Sequence, residues 1–108
     1  MNLRDRMEVI RKVLDQNKAE QIEIFNLENS EYMVSGVVLA TALADRHLQA
    51  LLENIKSVLT CEKILHTDVS DEWIVIDLGD ILIHIMAQRA RDKYNLEEFL
   101  DEFKKRRG

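Results

Sequence analysis

Positive charge is in short supply in this chain: 20 Asp and Glu stand against 15 Lys and Arg, giving a net charge of −5 and a pI of about 5.2. That balance argues against general nucleic-acid binding, which needs a basic footprint to meet phosphates. Cysteine is nearly missing too. Cys61 stands alone, so no intrachain disulfide can form and a reducing compartment is the natural setting. No His or carboxylate is spaced to activate Cys61 as a nucleophile, and it reads as a small packed residue. Three glycines are too few for a Gly-rich phosphate loop, and there is no nucleophile elbow. No apolar run approaches the ~20 residues of a membrane span, and residues 1–8 lack the apolar core of a signal peptide. The expectation is a cytoplasmic protein with one domain over 1–108. Its length suffices to bury a core without staples.

Elements follow from periodicity. Leu3, Met7, Ile10 and Leu14 recur at helical spacing, predicting an amphipathic helix over 2–16. Residues 21–27 alternate as a short strand does, and 31–40 read as a second, mostly buried strand with Ser35-Gly36 as a candidate bulge. The strongest helix spans 42–59, with Leu48, Leu51, Leu52, Ile55, Val58 and Leu59 on one stripe and Thr41 as its N-cap. A short strand is expected at 63–65, then a polar stretch over 66–71. A short helix over 87–94 and a last helix opened by Asn95 complete the chain. Only one strand-to-strand link contains a helix. The fold class is therefore α/β (α+β): a mixed sheet of about five strands flanked by helices.

Residues 72–86 hold the feature most in need of explanation. Two Ile- and Val-rich runs flank Asp77-Leu78-Gly79-Asp80 and predict an antiparallel hairpin. With Leu78-Gly79 as the loop, Asp77 faces Asp80, Val75 faces Leu82 and Trp73 faces His84. These six share one sheet face, while Ile74, Ile76, Ile81, Ile83 and Ile85 take the other. Two opposed carboxylates repel unless a cation intervenes. Beside them, Trp and His have the composition of a docking surface. A core Trp, a hydrogen-bonded His and solvated turn aspartates are the plainer alternative.

Catalytic patterns are weak. His66, Asp68, Asp71, Asp77, Asp80 and His84 are metal-ligand types, but their spacing fits no zinc or calcium motif. A carboxylate pair at an exposed hairpin tip is poorly placed for acid–base work. Lys104 to Arg107 could meet RNA phosphates, though a basic run at a helix C-terminus also complements the helix dipole.

Residues 71–86, Asp-Glu-Trp-Ile-Val-Ile-Asp-Leu-Gly-Asp-Ile-Leu-Ile-His-Ile-Met, closely resemble the signature of the ribosomal silencing factor family (RsfS, also called Iojap). Arg91, Tyr94, Leu96 and Glu97 fit its continuation. Upstream, Lys18-Ala19-Glu20-Gln21-Ile22, Glu31-Tyr32-Met33-Val34 and Asp45-Arg46-His47 are similar to family motifs in the same order. The chain departs from the pattern at 35–44, which lack the usual Gly-Thr-Ser, at Leu65-His66-Thr67, and at Phe99-Leu100, where a Trp is usual. The resemblance implies a sheet related to the nucleotidyltransferase fold, without transferase activity, metal or cofactor. It also implies a partner, large-subunit ribosomal protein fourteen, bound where the small subunit docks, so that subunit joining is blocked and translation falls when nutrients are scarce. Carried over by position, Trp73, Asp77, Asp80 and His84 belong on or just behind that contact, with Tyr32 and Arg46 as further candidates. Asp77 and Asp80 would meet basic side chains there, with little direct nucleic-acid contact. A homodimer through the same face is an alternative state, since some family members dimerise. The alternative function is a metal-dependent nucleotidyltransferase-like enzyme. That chemistry wants Gly-Ser before a helix and carboxylates spaced along a strand.

Overall fold

The computed structural model describes residues 2–105, the side chains of 104 and 105 excepted, so the side chains of the basic run Lys104 to Arg107 lie outside what is described. Nine elements follow in the expected order: α1 (Leu3–Gln16), β1 (Glu20–Asn26), β2 (Gly36–Ala42), α2 (Asp45–Val58), β3 (His66–Val69), β4 (Trp73–Asp77), β5 (Ile81–Ala87), α3 (Gln88–Tyr94) and α4 (Leu96–Lys105). The five strands form one mixed sheet in the order β1-β2-β5-β4-β3. Only β2 and β5 run parallel; the other pairs are antiparallel.

Both faces of the sheet are read out by alternation. Val38, Ala40, Ile74, Ile76, Ile81, Ile83 and Ile85 pack with Met7, Ile10, Leu14, Leu48, Leu51 and Ile55 into the larger core, under α1 and α2. On the opposite face, Phe25, Leu27, Val37 and Leu39 pack with Leu100 of α4, joined by Tyr32, Val34, Leu82 and Phe103. That second core covers the β1–β2 side. Towards the other edge Val75 and Asp77 are only half-buried, and His66 and Asp68 are exposed. The face is half open.

Several boundaries differ from the sequence reading. The hairpin loop is Gly79-Asp80, two residues' worth of pairing away from Leu78-Gly79. Asp77 pairs with Leu82, Val75 with His84 and Trp73 with Met86. Leu78 decides this: it is only 8% exposed, and its N–H donates to the Ile81 carbonyl at 2.9 Å. Keeping Leu78 in the sheet leaves Gly79, at φ +95°, as the first loop residue, where a primed hairpin turn wants glycine. A shift of this size preserves which face each side chain takes. Trp73, Val75, Asp77, Leu82 and His84 still share a face, but Asp80 leaves the strand and does not oppose Asp77.

Helix α2 starts at Asp45, and its N-cap is Ala44, not Thr41. No side chain caps the helix, and His47 instead ties its first turn to neighbouring segments: Nδ1 accepts the Leu43 N–H at 2.8 Å while Nε2 donates to the Asn17 carbonyl at 2.7 Å. Strand β3 occupies 66–69, inside the stretch read as polar loop, and β2 begins only at Gly36. Gly36 is no bulge. A Cβ there would lie 2.6 Å from Met7 Sδ, so glycine lets α1 approach the strand. The bulge falls instead in β1, between Glu20 and Glu23, with Gln21 at φ 48°.

Candidate functional site

Trp73 opens β4, and its ring is held from two sides. Its Nε1–H donates to His84 Nδ1 at 3.0 Å, across the diagonal of the β4–β5 pair. Tyr94, the last residue of α3, lies against the other side with ring centroids 5.0 Å apart. His84 is 7% exposed, and burial holds its pKa down to about 4, so it is neutral at pH 7. Because Nδ1 accepts, Nε2 carries the hydrogen, and that N–H is buried with no partner among the described residues. His84 therefore sits behind Trp73. The indole spends its one polar handle inward, leaving an apolar ring, half-buried, toward solvent.

The two aspartates part company. Asp77 stays on the open face, half-buried, its Oδ1 accepting the Gly79 N–H at 2.7 Å. Asp80 turns to α1, where Arg6 donates to both its oxygens at 2.6 and 3.0 Å. The same guanidinium binds Glu62 at 2.9 and 2.8 Å. These hydrogen bonds to Arg6 hold the Asp80 carboxyl below the usual carboxylate range. Asp80 also fixes the chain through its carbonyl, which accepts the N–H groups of Ser35 and Gly36. The repulsion inferred between Asp77 and Asp80 is thus absent, and the cation that neutralises Asp80 is internal.

The remaining candidates spread over the surface. Tyr32, in the β1–β2 connection, packs 4.8 Å from Phe103 and 6.0 Å from Phe99, and burial raises its hydroxyl pKa. It joins the same sheet face through the cluster that includes Leu82. Arg46 is exposed in the first turn of α2, at the Trp73 end of the sheet and on the α1–α2 side. Arg46 does not share the open face. Tyr94, Arg6 and Glu62 were not singled out as site residues. Tyr94 had a signal, as an aromatic next to the central motif. Arg6 lies 74 residues from Asp80, and nothing local announces that pair.

A second internal hub is Arg91, 5% exposed on α3. Its guanidinium donates to Glu97, to Glu23, to the Gln21 carbonyl and to the Thr41 hydroxyl. That ties the β1 bulge, β2 and the start of α4 together. Among the described residues, no three His, Cys, Asp or Glu side chains converge as a metal site. Ser35-Gly36 leads into a strand and not a helix, and Asp77 and Asp80 diverge. Neither feature that the enzyme alternative requires, Gly-Ser before a helix or carboxylates spaced along the following strand, is found at these residues.

Fold and site define a small α/β domain whose distinctive feature is a surface: a half-open sheet face built around a braced tryptophan. The family model described as "Ribosomal silencing factor during starvation" matches residues 1–107, and the chain belongs to that family. It is 28% identical over 98 residues to "Ribosomal silencing factor RsfS" of Haemophilus influenzae, covering 85% of this chain and 94% of the relative. A 30% match over 96 residues links it to "Protein Iojap-related, mitochondrial" of Arabidopsis thaliana, covering 82% of this chain and 52% of that longer protein. The fold matches a crystal structure of a Chromobacterium violaceum protein with a TM-score of 0.85 at 22% identity, covering 94% of this chain and 88% of that one. The relatives' names describe a regulatory role, and no helix among the described residues is long and apolar enough to cross a membrane.

Proposed function

We propose that this protein binds the large ribosomal subunit through its ribosomal protein fourteen, using the open half of the sheet face, and represses translation by excluding the small subunit. The observation that carries the reading is the braced anchor: Trp73 held by His84 and Tyr94 with its apolar ring toward solvent. A large aromatic already fixed in place loses little side-chain freedom on docking, and such residues dominate interface energies. Asp77, half-exposed at the far end of β4, adds a carboxylate for a basic partner. Repression then needs no chemistry, since one occupied surface excludes the other subunit. Asp80 and His84 act from behind this face, as supports.

The test is cosedimentation with isolated large subunits. Trp73→Ala should weaken binding by roughly 30-fold, the equivalent of ~2 kcal/mol for an anchor residue, and Asp77→Lys should abolish it. Both variants should keep the far-ultraviolet circular dichroism of the parent protein. Undiminished binding by both would move the contact off this face.

A further inference from the structure

We propose that the outer edge of β3 receives an extended, Lys- or Arg-bearing segment of the large-subunit protein, which adds to the sheet as a sixth strand beside Trp73. The inference rests on the docking reading above and specifies how the partner is held. Among the described residues nothing pairs with the outer side of β3, which closes the sheet order at that end. Its pairing with β4 is regular over four residues, from His66 opposite Asp77 to Val69 opposite Ile74. The Ser70 N–H donates to the Trp73 carbonyl, so by antiparallel alternation Asp68 also bonds inward. The main-chain N–H and C=O of Thr67 and Val69 therefore point away from the sheet.

Folded proteins usually blunt such an edge with Pro, Lys or a bulge. The opposite edge follows that rule: β1 carries a bulge at Gln21, whose carbonyl is taken by Arg91. The β3 edge is protected only by its four-residue length and the charge of Asp68. Residues 66–71 contain no Pro and no Lys, while Leu65 and Val69 leave 57% and 52% of their surface exposed. A shallow apolar recess lined by Asp68, Val69, Ser70, Trp73 and Val75 connects this edge to the anchor. The charge sets the partner's chemistry. Between 66 and 77 stand four carboxylates, Asp68, Asp71, Glu72 and Asp77, with no Lys or Arg. Arg89 engages Glu72 from outside the stretch, and the exposed His66 ring lies within hydrogen-bond distance of Asp68, Nε2 to Oδ1 at 3.3 Å. An added strand would place side chains of alternate residues over Asp68, which favours a basic segment.

Thr67→Pro isolates the main-chain bond. It removes one outward N–H at an edge position where proline is tolerated, whereas Thr67→Ala keeps that N–H and trims only the side chain. With fluorescently labelled protein titrated against isolated large subunits, Thr67→Pro should raise Kd at least tenfold and Thr67→Ala should leave it unchanged. Amide exchange gives a second readout that needs no variant: the Thr67 and Val69 amides should exchange rapidly in free protein and slow at least tenfold in the complex. Unchanged exchange of both amides overturns the proposal whether or not Thr67→Pro folds. If Thr67→Pro folds and binds like the parent while Trp73→Ala does not, the edge is refuted and the docking face stands. If Trp73→Ala also binds undiminished, the docking reading fails and takes the edge with it. Sedimentation that finds a dimer of free protein broken by Thr67→Pro, with large-subunit affinity unaltered, assigns the edge to a second copy and overturns the proposal.

Discussion

His84 changes role once its surroundings are known. It meets Trp73 diagonally across the hairpin, is buried, and accepts the indole N–H only while neutral. Its folded pKa of about 4 lies below the 6.5 of an unperturbed histidine. Between those values the unfolded chain binds the extra proton. Stability from this site is therefore complete above pH 6.5 and declines as pH falls toward 4, by up to ~1.4 kcal/mol per pH unit. Asp80 adds to acid lability in its own range, since its depressed carboxyl loses the Arg6 bonds only as pH falls through its folded pKa. Chemical denaturation from pH 7 to 4.5 should show His84→Phe losing less stability on acidification than the parent. Equal slopes would mean that His84 is not the group that titrates. Nitrogen chemical shifts should also find the Nε2–H tautomer at pH 7, and a proton on Nδ1 would contradict the bond from Trp73.

At the level of elements, two arginines join segments far apart in sequence. Arg91 is the deeper one, and truncating it leaves Glu23, Glu97, the Gln21 carbonyl and Thr41 without their shared donor. Glu23 and Glu97 are 48% and 31% exposed and can turn to water, so the cost falls on the buried Thr41 hydroxyl and the lost packing of the Arg91 stem, about 1–3 kcal/mol. Arg91→Ala should lower stability by that amount in urea titration. Arg91→Lys should recover only part of it, because one ammonium cannot address the same fork of acceptors. Loss of less than ~1 kcal/mol on truncation would count against the hub. The Arg6 clamp separates two residues that look equivalent in sequence. Asp80→Asn should lower melting temperature while leaving large-subunit binding intact, the reverse of Asp77→Lys; loss of binding by stable Asp80→Asn would return Asp80 to the contact.

How legible these elements were depended on where their information lies. α1 and α2 announce themselves because each carries its full apolar stripe locally. The isoleucines of β4 and β5 gave the buried face correctly even with the loop misplaced, because parity survives the two-residue change in pairing. The short strand expected at 63–65 lies instead at 66–69, because an edge strand buries almost nothing and its sequence resembles a loop. Thr41 was misread as a cap because the groups that claim its hydroxyl, Gln21 and Arg91, lie 20 and 50 residues away. The position of Trp73 on a half-open face was readable; the separation of Asp80 from Asp77 was not, since it depends on Arg6.

For the whole molecule, shape bears directly on mechanism. The protein measures about 41 × 33 × 22 Å, with one sheet face buried under α1 and α2 and the other half covered by α4. Seated by its open half-face, even its shortest dimension would hold two surfaces some 22 Å apart. Direct hydrogen bonds reach only about 3 Å, so no subunit contact survives beneath the protein. The proposed contact would also limit what the protein can do to an assembled ribosome. On that proposal its docking surface would already be covered there, and binding would have to wait for spontaneous subunit separation. Order of addition should therefore matter. Protein mixed with large subunits before the small subunits arrive should suppress the assembled peak in a sucrose gradient in proportion to occupancy. Added afterwards, it should deplete that peak only at the rate at which subunits dissociate unaided. Trp73→Ala should suppress neither. Depletion faster than unaided dissociation would require active splitting and a contact reachable in the assembled particle, a mechanism that a face hidden between the subunits cannot supply.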